Sequence, residues 1–199
     1  MLRLSDGKIY IMDYKIILAS NSPRRKELLS GLNIHFNVLV KDGIDETYPK
    51  STPVDDVSLY LSKLKASAYL QDIQEDELII TADTVVVVDD NILGKPIDKE
   101  DATRMLRTIS GRMHKVITGV SLTTKFKQRS FKVTTEVTFK KLDDSEINYY
   151  ISTFKPYDKA GSYGIQEWIG YIGVTSINGS YYNVMGLPVQ RIYEELKNM

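Results

Sequence analysis

The sequence predicts an α/β protein with a central mixed, twisted sheet flanked by helices. Three observations carry that expectation: strand-like runs alternate with helix signals, two long strand-like segments follow each other directly, and a turn signal folds one β-branched run back on itself.

Lys15–Ser20 (KIILAS) reads as a short buried strand that runs into a helix. Ser22 stands at its N-cap position, Pro23 at N1 and Gly31 near its end. Phe36–Val40 reads as a second strand. The acidic loop Asp42–Glu46 then leads to Thr52-Pro53, a cap and N1 proline that predict a helix through about Leu70. Glu77–Val88 is a β-branched run closed by Asp89-Asp90-Asn91, which predicts a hairpin into Ile92-Leu93. Asp98 is placed to cap a helix ended by Gly111.

His114–Lys125 and Ser130–Leu142 read as long strands with alternation in parts. Asp143, with Glu146 three residues later, predicts a capping box opening a helix to Phe154. Asn178-Gly179 predicts a hairpin between Tyr171–Ile177 and Ser180–Val184, and Leu187–Asn198 reads as a terminal helix. No repeat or flexible linker separates these elements, so residues 15–199 are expected to form a single domain after an N-terminal extension of residues 1–14.

The chain has 199 residues, 42% hydrophobic and 26% charged, which suits a packed globular fold and excludes disordered and fibrous classes. Lys plus Arg total 26 and Asp plus Glu total 26, so bulk attraction to nucleic acid is not expected and no nucleic-acid partner is assigned. An anion site would need local positive charge. With no cysteine, a disulfide framework, a thiolate metal site and a cysteine nucleophile are excluded. Apolar runs such as Val85–Val88 are far shorter than the roughly 20 residues of a membrane span, and no signal-type apolar block opens the chain. A cytoplasmic protein without a membrane partner is expected.

Five segments could carry chemistry. In Ser20–Arg25 a strand delivers the chain into a helix N-terminus, where unpaired N–H groups, two hydroxyls (Ser20, Ser22) and two guanidiniums (Arg24, Arg25) suit phosphate oxygens. A capping serine followed by solvated arginines is the plainer alternative. Asp83 is a lone carboxylate in an otherwise apolar strand, which calls for a metal, a cationic partner or a strand edge. Lys95 lies between Gly94 and Pro96, outside any Walker A pattern, and reads equally as a turn lysine. The loop acids Asp42, Asp45 and Glu46 read alone as a solvated turn. Asp158–Gln166 joins two glycines to an amide, Gln166, suited to a base edge or to a plain loop. The two histidines, His35 and His114, are too few for a histidine metal cluster, and no G-x-S-x-G elbow is present. Taken together, cations for phosphates, carboxylates for a bridging divalent metal and an amide for a base make the parts of a nucleotide phosphohydrolase.

These blocks in this order, ASNSPRRKELL, IDE, TADTVVVVDDNILGKP, MLRTISGRMHKVITGVSL, DKAGSYGIQ and NGSYYNVMGLPV, resemble the Maf family of nucleoside triphosphate pyrophosphatases from about Lys15 to the C-terminus. The resemblance implies a Maf/inosine-triphosphatase-like fold and hydrolysis of a nucleoside triphosphate to the monophosphate and pyrophosphate. It implies phosphate binding by Ser20, Ser22, Arg24 and Arg25, a helix lysine at Lys65, a proton acceptor at Asp83, a triphosphate lysine at Lys95 and a base-proximal Gln166. Mg²⁺ or Mn²⁺ is implied at Glu46 and Asp83. Asp45 remains an alternative to Glu46, because the loop is one residue longer than the family pattern. Thr84 in ADT and Gln166 in YGIQ, with Arg24, resemble the dTTP/UTP-preferring subgroup. Thr81, where glycine is common, and Glu167–Gly173 depart from the pattern. Family members are often homodimers. The family is also associated with arrest of septum formation, which leaves a nucleotide-binding regulator of cell division as the alternative function.

Overall fold

The computed structural model describes residues 2–5, 8–11 and 14–199. Strands β1 (Leu2–Ser5) and β2 (Lys8–Ile11) pair antiparallel as a separate two-stranded sheet. The main sheet has seven strands: β3 (Lys15–Leu18), β4 (Phe36–Val38), β5 (Glu77–Val88), β6 (Asn91–Leu93), β7 (Met113–Thr123), β8 (Gln128–Phe139) and β9 (Val174–Asn178). Its order is β4-β3-β5-β7-β8-β9, with β6 on β5. β3 is parallel to both β4 and β5, whereas β6 on β5 and β9 on β8 are antiparallel, so the sheet is mixed as expected. The helices are α1 (Pro23–Ser30), α2 (Val57–Ser67), α3 (Lys99–Ile109), α4 (Asp144–Phe154), α5 (Trp168–Gly173), α6 (Tyr181–Met185) and α7 (Val189–Leu196). Among the described residues no helix is long and apolar enough to cross a membrane.

The chain divides into two compact units, and β5, β7 and β8 contribute residues to both. The first comprises residues 1–83, 118–133 and 186–199. Ile17, Tyr69, Ile73 and Ile79 form a buried cluster in it, with Ala19, Ile44 and Ala68 packed alongside. Burying these side chains is the main stabilising term. α2 sits so close to β7 that a Cβ on Gly119 would lie 2.3 Å from the Ser58 carbonyl oxygen. The Ser62 hydroxyl lies 3.1 Å from that of Ser121, and the Thr81 hydroxyl donates to the Ser62 carbonyl at 2.7 Å. The predicted cap at Thr52 is not used: a 3₁₀ turn at Val54–Asp56 precedes α2, whose N-cap, Asp56, makes no side-chain cap bond. At the end of α1, Gly31 stays right-handed (φ −62°), and Asn33 takes the left-handed conformation (φ 55°) instead.

The second unit comprises residues 84–117 and 134–185. Asp89 and Asp90, at φ 47° and 61°, make the tight turn that returns β5 into β6. Asp98 caps α3 by accepting from Asp101 N at 2.7 Å. Ala102, Met105, Leu106 and Ile109 bury one face of that helix at spacings of three, four and seven. Both bonds of the Asp143–Glu146 capping box form on α4.

The predicted 178–179 hairpin is absent. Val174–Asn178 pairs with β8, and the chain enters a helix instead of returning as a strand. Gly179, at φ +133°, lies against Thr135, where a Cβ would approach the hydroxyl to 2.7 Å. Ser180 Oγ then accepts from Asn183 N at 3.3 Å, and Asn183 Nδ2 donates to Val116 O and Thr135 Oγ1 at 3.1 and 3.0 Å. These tertiary bonds override the local turn signal. Tyr181 and Tyr182, expected in the returning strand, stand exposed on α6.

Candidate active site

In the first unit, β3 delivers Ala19-Ser20 to the start of α1. Ser22 caps the helix by accepting from Arg25 N at 3.4 Å, and Ser20 Oγ accepts from Ser22 N at 3.2 Å. The Arg25 guanidinium turns inward. It donates to Gly186 O and Ala82 O at 2.9 Å each and to Ser20 Oγ at 3.5 Å. Burial, the largest cause, pulls Arg25 below its ordinary pKa, and the charge of Asp83 opposes that. Part of the guanidinium fork is therefore spent on fixing the turn.

β5 is buried from Leu78 to Ala82 and again from Val85 to Val88, and between these two runs it opens at Asp83 and Thr84. Asp83 is met there by Lys65 from the last turn of α2, with Nζ 2.6 Å from Asp83 Oδ1. The same ammonium lies 2.9 Å from Glu46 Oε2, on the acidic loop. It is thus Glu46 that joins this ion triad. The Lys65 and Asp83 side chains are 15% and 13% exposed and Glu46 51%, so the triad is closed on the β5 side and open on the loop side.

Two carboxylates drawn to one point are a donor set for a hard divalent cation that completes its shell with water and phosphate oxygens. Among the described residues no group of three or more His, Asp or Glu is arranged to hold a metal. A metal held through one or two carboxylates and substrate phosphates suits this pair.

The remaining predicted residues belong to the second unit, apart from Arg24, which adjoins Arg25 in the first. Thr84 follows Asp83 on β5. Lys95 is exposed after β6, and the neighbouring Gly94 carbonyl accepts from Gly161 N at 3.0 Å, which ties the lysine loop to the glycine-rich loop. Gly161 (φ +67°) packs so tightly on Val86 that a Cβ would come within 2.9 Å. Gln166 Oε1 is buried with no hydrogen-bond partner among the described residues. A buried acceptor left in that state is costly unless something donates to it.

Sequence reasoning missed the buried polar cluster beside the turn that carries Gln166. Lys159 is 7% exposed and pairs with Glu167 Oε1 at 3.0 Å and Asp158 Oδ1 at 2.7 Å. The Tyr150 hydroxyl donates to Glu167 Oε2 and accepts from Gly164 N at 3.0 Å. Burial first, then Glu167, raises the Tyr150 pKa beyond the ordinary phenol range. Lys159 lay inside the quoted loop, but nothing in its spacing marked it as buried. His114, expected at the start of a long strand, is buried on β7 with Nε2 2.7 Å from the Tyr163 hydroxyl.

Residues 15–199 match the family described as Maf-like protein. The chain belongs to the Maf family. Its relatives include proteins named dTTP/UTP pyrophosphatase. That of Phocaeicola vulgatus is 61% identical over 186 residues, covering 94% of this chain and 96% of the relative. That of Parabacteroides distasonis is 58% identical over 185 residues, 93% of this chain and 96% of the relative. That of Flavobacterium psychrophilum is 50% identical over 184 residues, 92% and 94%. Among solved structures, a HAM1 protein from Coxiella burnetii aligns with TM-score 0.49 and 12% identity over 94% of this chain and all of that one. In this Maf family member the match begins at Lys15, where the resemblance was expected to start.

Proposed function

We propose that the protein hydrolyses dTTP and UTP to the nucleoside monophosphate and pyrophosphate, keeping the cytoplasmic nucleotide pool clean. The observation that carries this reading is the Glu46–Lys65–Asp83 triad in the unit that also holds the Ser20–Arg25 turn, in a chain 61% identical to a dTTP/UTP pyrophosphatase.

In this reading Ser20, Ser22 and the N–H groups at the start of α1 orient phosphate oxygens. Arg24, Arg25 and Lys95 neutralise the charge that builds on the pyrophosphate leaving group. Asp83 accepts the proton of the attacking water as the water oxygen bonds to the α-phosphorus and the bond to the pyrophosphate oxygen breaks. Lys65 holds Asp83 and Glu46 in place. Mg²⁺ or Mn²⁺, carried by Glu46 and Asp83, supplies charge neutralisation and polarisation at the phosphate. The serines position and do not attack, since no base adjoins them. Gln166, with Thr84 of the same unit, reads the pyrimidine.

The test is a panel of nucleoside triphosphates with Mg²⁺, with Mn²⁺ and with chelator, scoring pyrophosphate against orthophosphate. Pyrophosphate from UTP and dTTP, abolished by chelator, is the expected result. Release of orthophosphate, or a clear preference for purines, would refute the assignment.

A further inference from the structure

The acidic loop that carries Glu46 is attached to the fold at few points. After Leu39 N donates to Leu18 O at 3.2 Å, the next backbone-to-backbone hydrogen bond along the chain, among the described residues, is that from Thr52 N to Pro49 O. Asp42, Gly43, Asp45 and Glu46 are exposed, and only Ile44 between them is half-buried. The Glu46 side of the ion pair with Lys65 is 51% exposed, and a pair so open to water contributes little on its own. The pair does not hold the loop in place.

A buried phenol does. Tyr69 lies in the turn after α2 and is 2% exposed, and its hydroxyl accepts from Lys41 N at 2.9 Å and donates to Leu39 O at 3.2 Å. One oxygen thus closes on both sides of Val40. The Lys41 side chain then turns back to the same helix end, where Nζ donates to Ala68 O at 2.8 Å, pairs with Asp72 and lies 5.3 Å from the centroid of the Tyr69 ring. Ala68 is the C-cap of α2, a place where carbonyls lack partners within the helix. Gly43, at φ +73°, turns the chain, and Ile44 packs against the cluster that contains Tyr69. From the Leu39 carbonyl to Glu46, each of these polar attachments leads to the segment from Lys65 to Asp72.

We propose that Tyr69, with Lys41, is a positioning staple that holds the acidic loop so that the Glu46 carboxylate stands on the same lysine as Asp83, ready for a divalent cation. The inference rests on the reading above that Glu46 and Asp83 carry Mg²⁺ or Mn²⁺. From the strand bond at Leu39, seven residues lead to Glu46, a free reach of about 23 Å. With the chain pinned at Lys41 and packed at Ile44, two residues remain, a reach of about 7 Å. The entropy lost in bringing Glu46 to Asp83 falls with the length of that tether, so a loop ordered in advance needs less cation to complete the pair. Tyr69 and Lys41 touch neither nucleotide nor metal in this scheme and act through Glu46.

The test takes the parent, Tyr69→Phe, Lys41→Met and Glu46→Gln, with a thermal melt of each to identify the folded variants. Two quantities are read: the free Mg²⁺ that gives half the maximal rate at saturating UTP, and the rate of tryptic cleavage after Lys50 in the metal-free protein. Tyr69→Phe keeps the ring in its cluster and removes only the hydroxyl; it should raise the Mg²⁺ requirement about fivefold, the scale of one hydrogen bond, with KM for UTP at saturating Mg²⁺ near the parent value. Cleavage should quicken alongside. Lys41→Met keeps the stem and loses the ammonium contacts; it should act in the same direction and is the arm that remains if the phenylalanine variant fails to fold. Glu46→Gln should raise the Mg²⁺ requirement at least as far while cleavage stays near the parent rate, because the staple and not the ion pair holds the loop. If Glu46→Gln raises the requirement and the folded staple variants do not, the staple is overturned and the metal reading stands, whether or not cleavage quickens. If Glu46→Gln leaves the requirement unchanged, the metal reading of Glu46 fails and the staple with it. A fall in kcat alone in the staple variants, with Mg²⁺ requirement and cleavage at parent values, means a merely structural role and also overturns the inference.

Discussion

Replacing Asp83 by asparagine separates the chemistry of the triad from its contribution to stability. In the parent, Lys65 Nζ lies 2.6 Å from Asp83 and 2.9 Å from Glu46. The substituted amide keeps the shape and still offers Lys65 a carbonyl acceptor, and the ammonium retains Glu46, so no buried charge is orphaned. The change converts one charge-assisted hydrogen bond to an ordinary one, a loss of about 1 kcal/mol. For a chain of this length that is a fall of about 2–4 °C in Tm. Asparagine, however, cannot take a proton from water. Loss of a general base lowers turnover by about 10² or more, equivalent to about 2.7 kcal/mol of barrier. The assay is initial-rate release of pyrophosphate from UTP at saturating Mg²⁺, with KM measured alongside and a denaturant melt as control. A folded Asp83→Asn protein turning over within a few-fold of the parent would remove Asp83 from the role of base. A rate loss that merely follows the unfolded fraction would do the same.

Four further outcomes are expected. His114 is buried and its pKa is pushed down to about 4 by desolvation, so the unfolded chain binds its proton first as pH falls. The stability contributed by the neutral ring is complete above about 6.5 and is lost as pH drops toward 4, about 2 kcal/mol by pH 5; denaturant melts at pH 7 and pH 5 should show this slope, and His114→Phe should flatten it. Gly119→Ala drives a methyl to 2.3 Å from Ser58 O, so it should cost about 3 kcal/mol or leave the protein insoluble, and a parent-like melt would contradict that packing. Arg25→Lys cannot reproduce the donors to Gly186 O, Ala82 O and Ser20 Oγ, and it should lower stability by about 1–3 kcal/mol and raise KM for UTP. Asp143→Ala removes the capping box that opens α4, so the melting temperature should fall, and a parent-like melt would contradict that cap.

The elements that were legible from sequence are those fixed by local chemistry. Ser22-Pro23, Asp98 and Asp143 each start a helix because a side-chain oxygen reaches an N–H three residues ahead, a bond that does not depend on the rest of the fold. Asp83 announced itself because a carboxylate in a buried β-branched strand has no inexpensive solution. Where the reading failed, distant residues outweighed the local signal. Asn178-Gly179 is a strong turn dipeptide, yet Gly179 serves close approach to Thr135, and Ser180 and Asn183 fold the next residues into a helix tied to β7 and β8.

By itself the sequence determined a mixed α/β chain, a phosphate-suited turn before a helix, a lone carboxylate in a strand and a local concentration of charge inside a chain of zero net charge. It could not choose between Asp45 and Glu46, nor show that Arg25 turns inward, nor mark Lys159 as buried. Those were decided by tertiary structure, because an ion pair or a buried hydrogen bond is fixed by distance and by the water excluded around it. Both arise only when residues far apart in the chain, such as Lys65 with Glu46 or Arg25 with Ala82, are packed together.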